Sequence, residues 1–587
     1  MSAPTTSPPT RTSTPAPGGT TRRRRLAAPD GDRFVYLLAL PIFLILIFLV
    51  VIPMATTAST STGGAGPASN YGSLFGGASG RAMLLSVVSS LASVVCCGVI
   101  GTLLAVLLHR FDFPGRRALS VFAVLPIALP PLIGAVSFVL LYSETGIVPR
   151  ALQALLGIPP ADTSVSGMAG VILVHAFTMY PFFYLTVSAA LAGMDSSLEE
   201  AARNLGAPRA RVWRTVLLPL LTPALVSGAL LTFMMSMASF TAPQLYNVQT
   251  LTMEIVSART SGNPALAATQ ATALTVVSIA FLVSMRWYQG RRVHRSLSKG
   301  TPVPRHSPES VSAKLAAGLG SVLLTAILLA PVLVIVLVSF SADGAWTTEV
   351  LPTTYTVDNF LRIFTDSQSI LPVSLSVQMS LLATAGAIVV GSAAAWVVAR
   401  WKLPGRSALD LMIMLPWALP GTVVGVNLVT AFNAPSAANF GITLVGTLWI
   451  LPVAYFVRFV PLVFRSTGAS LDQLDPSLEE AARNLGAGPL RVLRTITLPL
   501  IARGVLAGAL LAFVDGVGEY VASVVIYPPG LPPMSVEIYN RIYSSEFGTA
   551  AAYGTLQIAL ILIVLALTSW LRDGRKKTTN VTALPVG

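Results

Sequence analysis

Twelve stretches of this chain are predominantly apolar for 18 residues or more: 34–54, 83–108, 119–142, 167–190, 217–242, 268–285, 316–340, 373–398, 409–432, 442–464, 498–526 and 552–571. Each is long enough to cross a hydrocarbon core of about 30 Å as a helix. The whole chain agrees: 53% of its 587 residues are hydrophobic, only 11% are charged, and mean hydropathy is +0.73. The expectation is an all-α polytopic membrane protein of about twelve transmembrane helices.

The basic residues set the orientation, since short cytoplasmic loops collect Lys and Arg. With the N-terminus inside, 31 of the 38 Lys and Arg fall in cytoplasmic segments, and only Arg81, Arg150, Arg259, Arg362 and Arg541 fall outside. Both termini are therefore expected in the cytoplasm. The formal charge of +14 is a topology signal beside anionic lipid, so no nucleic-acid partner is expected. Residues 1–33, rich in Pro, Thr, Ser and Gly, cannot bury a core and read as a disordered cytoplasmic N-terminus. The run Phe34–Ile52 is too long for a secretory h-region and reads as a retained anchor. Cys96 and Cys97 are helix neighbours pointing in different directions, which excludes a disulfide between them.

The chain is written twice. SLEEAARNLGA at 197–207 returns letter for letter at 477–487, and the same offset of 280 aligns Pro181 with Pro461 and Pro219 with Pro499. At an offset of 290, RFDFPGRRAL (110–119) matches RWKLPGRSAL (400–409), and LPIALP (125–130) matches LPWALP (415–420). The ten-residue change fits a shorter external loop after the ninth span. Each half has an even number of spans, so the repeat is parallel, with a pseudo-twofold axis along the membrane normal. The expected organisation is a first repeat at 34–285 (core about 81–285), a cytoplasmic linker at 286–315, a second repeat at 316–572 (core about 373–572) and a cytoplasmic tail at 573–587.

Both copies of the repeated string lie between the fourth and fifth spans of their half. Ser197 and Glu200 fit a capping box, Glu199 and Arg203 are i,i+4 partners, and Gly206 is a helix stop. The full pattern is Glu200-Ala201-Ala202, three residues, Gly206, nine residues, then Val216-Leu217-Leu218-Pro219. The second copy has Glu480-Ala481-Ala482, Gly486 and Ile496-Thr497-Leu498-Pro499. This resembles the signature loop of permease subunits of binding-protein-dependent ABC importers, and TVDNFLRIF at 356–364 is also similar to that family.

The resemblance implies the type I ABC importer permease fold, with both halves fused in one chain where many members use two. It implies a multi-pass protein of the bacterial plasma (inner) membrane. Glu199, Glu200, Ala201, Ala202 and Gly206, with Glu479, Glu480, Ala481, Ala482 and Gly486, would couple to an ABC ATPase subunit, present in two copies. An external solute-binding protein would deliver the solute. The chain lacks a G-x-x-x-x-G-K-[ST] phosphate loop, so no catalytic residue is assigned here. No cofactor is expected in this chain, ATP and Mg sitting on the partner ATPase.

Three charges lie within the second half's spans: Arg458 in the tenth, Asp515 and Glu519 in the eleventh. At offset 280 the first half has Thr178, Met235 and Ser239. A membrane charge has a partner or a task. Two readings stand: Arg458 pairs with Asp515 or Glu519 and locks two helices, or all three line the solute path. His175 reads as a satisfied interhelical residue, and no metal site is visible among four scattered His. The fused layout, together with ASFTAPQLY (238–246), VGEYVASVVIY (517–527) and SVEIYNRIYSSEFGTAAAYGTL (535–556), looks most like ferric-iron permeases. Thiamine, phosphonate, polyamine and sulfate permeases are alternatives within the class. An ion-driven secondary transporter is the remaining alternative, and it lacks the paired loop.

Overall fold

The computed structural model describes residues 29–64, 66–291, 310–346, 349–401 and 404–573. The N-terminal segment to residue 28, the linker from 292 to 309 and the tail from 574 lie outside the described residues. Pro29–Arg33, grouped with the N-terminal tail from composition, are helical, as are the described ends of the linker. The described chain is helical apart from turns and one isolated bridge between Ser341 and Tyr355.

In the first half, α1 (Pro29–Leu46) continues through a π turn into α2 (Ile52–Thr60). Then come α3 (Gly77–Arg110), α4 (Leu125–Ala128), α5 (Pro131–Tyr142), α6 (Gly167–Ala192), α7 (Ser196–Asn204), α8 (Leu218–Met237), α9 (Leu251–Thr260) and α10 (Pro264–Arg291). The second half runs α11 (Val311–Ser339), α12 (Ser367–Arg400), α13 (Arg406–Ala418), α14 (Gly421–Phe432), α15 (Ile450–Asp472), α16 (Pro476–Asn484), α17 (Leu498–Val517), α18 (Met534–Tyr543) and α19 (Phe547–Asp573). Eleven helices among the described residues are long and apolar enough to span a membrane. The pair α13–α14, bent by 111°, makes a twelfth.

The repeat is visible in the elements: α3 and α12 are each 34 residues, α7 and α16 nine, α8 and α17 twenty, α9 and α18 ten. The first half adds two short helices, Ile147–Leu156 and Pro160–Thr163, before α6, where the second half has only a loop. The halves are interlocked. Ala39, Ile42, Leu46 and Val50 of the first span are buried in the core built by α12–α15. Leu328, Val334, Ile335 and Val338 of α11 are buried in the core of α3, α5 and α6.

The Pro-rich runs break both third spans in one way. Leu129 and Pro130 have ψ of 132° and 136°, and Leu419 and Pro420 have 139° and 145°. A residue before proline is driven to extended backbone, which accounts for Leu129, Pro130 and Leu419, and each helix restarts after a two-residue gap. In the second half α13 contributes 13 residues before the break, about 20 Å of helix.

The segments after the fifth spans carry Arg259 and Arg541, which the charge distribution places outside, and sequence composition gives them no spanning signal. They are packed helices: Leu251, Ile255, Met534, Val536 and Ile538 are fully buried. Ser86 of α3 accepts the Leu251 N–H at 2.8 Å, and Ser376 of α12 accepts the Met534 N–H at 2.8 Å.

Candidate functional site

At one end of the molecule the repeated string forms α7 and α16. The N-cap is a residue that the string does not contain. Asp195 Oδ1 accepts the Ser197 N–H at 3.0 Å, and Asp475 Oδ1 accepts the Ser477 N–H at 2.9 Å. The capping box expected of Ser197 is thereby corrected: the helix begins earlier, and Asp in extended backbone supplies the oxygen. The stop is as the Gly implied. Gly206 and Gly486 have φ of +80° and +84°. Ala207 N–H donates to Ala202 O, and Ala487 N–H to Ala482 O, at 3.1 and 3.0 Å. Gly206 and Gly486 N–H donate to Arg203 and Arg483 O at 2.8 and 2.9 Å. This is a Schellman closure, which wants a residue without Cβ at that position.

The two adjacent glutamates do different things. Glu199 is buried and bonds inward: Arg110, the last residue of α3, donates to its Oε2 at 2.5 Å, and Arg203 to its Oε1 at 2.5 Å. Glu479, 2% exposed, is ion-paired with Arg400, the last residue of α12, at 3.1 Å and with Arg483 at 3.5 Å. It also accepts the Thr497 hydroxyl at 2.7 Å. Both loops are thus tied to the end of the second span of their half. Glu200, Glu480, Ala201 and Ala481 are exposed, and Ala202 and Ala482 are half-buried. Leu205 and Leu485, just before the glycines, are 88% and 90% exposed. Each loop therefore presents an exposed glutamate, exposed alanine and a leucine projecting just before the glycine, on an anchored helix. Downstream, Trp213–Leu217 and Leu493–Thr497 are π turns. They precede Pro219 and Pro499, whose missing N–H and bulky ring disrupt regular α bonding.

Between the halves lies a cavity of about 330 Å3. Its walls include both helix breaks, the ends of α8 and α17, and Arg458, Asp515 and Glu519. The two readings of those charges converge. Arg458 Nη1 donates to Glu519 Oε1 at 2.6 Å, and the same oxygen accepts the Ala522 N–H at 2.7 Å. The pair links α15 to the end of α17 and faces the cavity. Glu519 does not share a face of α17 with Asp515, although four residues separate them: the helix ends at Val517, with Gly518 as C-cap. Gly421 makes room for the cation, because a Cβ there would collide with Arg458 Nη1. The first half has Pro131 in that place.

His175 bonds three serines, Ser93 and Ser236 through Nδ1 at 2.9 and 3.1 Å and Ser239 through Nε2 at 2.9 Å. It is satisfied between α3, α6 and the end of α8, as read from the sequence. On the cavity wall, Phe240 and Tyr520 sit at equivalent positions with ring centroids 6.1 Å apart. Tyr520 also donates to Gln244 at 2.5 Å, so two of the quoted stretches meet across the pseudo-twofold axis.

Sequence reasoning missed Asp195, Asp475, Leu485, Arg110, Arg400, Phe240 and Tyr520 as site residues. A signal for the arginines existed: both open the stretches aligned at offset 290.

Residues 98–295 and 387–577 match the family described as binding-protein-dependent transport system inner membrane component. A probable ABC transporter permease protein of Sinorhizobium fredii, y4fN, is 29% identical over 492 residues, covering 82% of this chain and 86% of that protein. The ferric transport system permease protein FbpB of Actinobacillus pleuropneumoniae is 26% identical over 473 residues, covering 79% of this chain and 66% of that protein. The molybdenum transport system permease protein ModB of Escherichia coli is 34% identical over 211 residues, covering 34% of this chain and 91% of that protein. The two family matches fall one in each half, and together they take in both anchored loops and most of the cavity wall. This chain belongs, twice over, to the family of inner membrane components of binding-protein-dependent transport systems.

Proposed function

We propose that this chain is the complete membrane path of an ATP-driven importer, both halves being supplied by one polypeptide. The observation that carries the reading is the pair of loop helices. They have the same cap, the same closure and the same inward glutamate, and they present the same exposed surface at one end of a parallel repeat. Two like surfaces suit two like partners, and an ATPase dimer with ATP and Mg at its own sites is such a partner. Closing that dimer would move α7 and α16 together. Because each is fixed by an ion pair to the end of α3 or α12, the motion would pass into the spans around the cavity. No catalytic group or cofactor is assigned to this chain. An external binding protein delivers the solute at the other end, and both termini lie in the cytoplasm.

Ferric iron is the solute best supported, by the stretches at 238–246 and 517–527 that meet across the axis and by the similarity to a ferric permease along most of this chain. Oxyanion import is the second reading, favoured by the closer identity of one half to a molybdenum permease.

The test is purification of the full chain from its native membrane in mild detergent. An ATPase with a phosphate loop and an external binding protein should accompany it, and uptake into vesicles should require ATP. A chain that comes alone and transports without ATP overturns the reading.

A further inference from the structure

The cavity carries an odd charge. Three charged side chains line it: Arg458, Asp515 and Glu519. Arg458 and Glu519 cancel, and both are held. The Glu519 carboxylate is gripped by the guanidinium on one side and the Ala522 N–H on the other. The guanidinium fills the space that Gly421 leaves open. The pair is therefore neutral where it faces the cavity. Asp515 lies on the last turn of α17, exposed to the cavity, and reaches no cation within ion-pair distance among the described residues. The other lining groups are uncharged: Thr178, Ser239 and Thr241 with prolines, methionines and aromatic rings. Met235 stands at the equivalent position in the first half, so the carboxylate has no twin.

We infer that Asp515 is the residue that sets the charge of the solute: the path admits cations and rejects oxyanions. The inference rests on the reading of this cavity as the import path. A single uncompensated carboxylate between low-dielectric walls raises the local concentration of cations and repels anions. One carboxylate attracts without chelating, which suits a site that must also release its solute. Of the solutes the sequence leaves open, ferric iron, thiamine and polyamines pass this filter, whereas sulfate, phosphonate and molybdate do not.

The test uses cells expressing the full chain with the ATPase and binding protein that co-purify with it. They are offered radiolabelled iron(III) loaded on the co-purified binding protein, thiamine, spermidine, sulfate and molybdate in turn. The wild-type chain should take up one of the cations. Asp515→Asn should lower that uptake about tenfold or more, and Asp515→Glu should restore it, with membrane levels and ATPase co-purification equal in all three. Three results overturn the inference while leaving the importer reading intact: ATP-dependent uptake of sulfate or molybdate by the wild type, wild-type uptake by Asp515→Asn, or equal loss in Asp515→Asn and Asp515→Glu. Uptake that ignores ATP overturns the importer reading itself.

Discussion

The loop ends of the two halves and their cavity faces have diverged to very different degrees. At the loops, cap, closure, π turn, buried glutamate and projecting leucine all occur twice. At the cavity, Thr178 faces Arg458 across the repeat, Met235 faces Asp515, Ser239 faces Glu519, and Pro131 faces Gly421. One end keeps one surface in two copies, as the proposed pairing with two like partners requires. The other behaves as two walls around one object, where identical walls would double any charge placed on either. Even at the loops one detail differs. Glu199 is shared by two arginines, whereas Glu479 also has the Thr497 hydroxyl and is more deeply buried.

That detail gives the largest expected effect. Glu479→Ala takes the carboxylate from the Arg400 guanidinium, which keeps only the Leu474 carbonyl at 3.2 Å, and leaves the buried Thr497 hydroxyl without its acceptor, and should cost about 3–5 kcal/mol. Glu199→Ala should cost less, about 2–3 kcal/mol, because Arg110 keeps the face of Trp213 at 5.7 Å. Thermal denaturation of the purified variants orders the two. Equal losses would mean that the extra partners of Glu479 add nothing.

Next comes the exposed surface. Leu205→Arg and Leu485→Arg touch little of the chain itself, so stability should hold within about 0.5 kcal/mol. Each should weaken ATPase association by about 2 kcal/mol, roughly 30-fold. Quantitative co-purification measures it. A loss confined to one of the two would break the equivalence of the loops.

How much of this was legible beforehand depends on distance along the chain. The twelve spans, the two-half repeat and the glycine stops follow from continuous runs and repeated strings, and they were readable. The pair Glu199–Arg203 was readable for the same reason. The bond from Glu199 to Arg110 was not, because it joins residues 89 positions apart. The cap was misassigned because SLEE satisfies a local rule that Asp195, two residues upstream, satisfies better. Helices α9 and α18 were hidden because ten mixed residues carry no spanning signal, and packing against α3 and α10, and against α12 and α19, is what buries them. For Arg458, the sequence narrowed the partner to two acids one turn apart. The end of α17 at Val517 is what turns Glu519, rather than Asp515, onto the cation.

Arg458→Leu should accordingly cost about 1–2 kcal/mol, discounted because the guanidinium faces the cavity. Adding Glu519→Leu should recover most of the loss. Adding Asp515→Leu should recover none. Thr178→Leu, the same change in the first half, should stay within about 0.5 kcal/mol. Melting of the four proteins sharpens the contrast between the walls, and rescue by Asp515→Leu would reassign the pair.

The smallest effect separates the two caps. The Asp475 carboxyl is held below its ordinary value of 3.8, first by the Ser477 backbone N–H and then by the Ser477 side chain. A depressed folded value means that the cap's contribution is present above about pH 3.8 and is lost as pH falls through the lower folded value. Asp475→Asn, which caps without a charge, should remove this acid sensitivity. Asp195 makes the same bond, but the residue after it is Ser196, whereas Asp475 is followed by Pro476 at the first helical position. Proline there fixes φ near −65° before the helix forms. Loss of the cap should therefore fray α7 more than α16. Hydrogen exchange at residues 199–203 should quicken more in Asp195→Ala than exchange at 479–483 does in Asp475→Ala. Pro476→Ser should erase that difference. Equal quickening in the two single variants would show that proline contributes nothing to the second loop, and that the repeat is as uniform in stability as it is in shape.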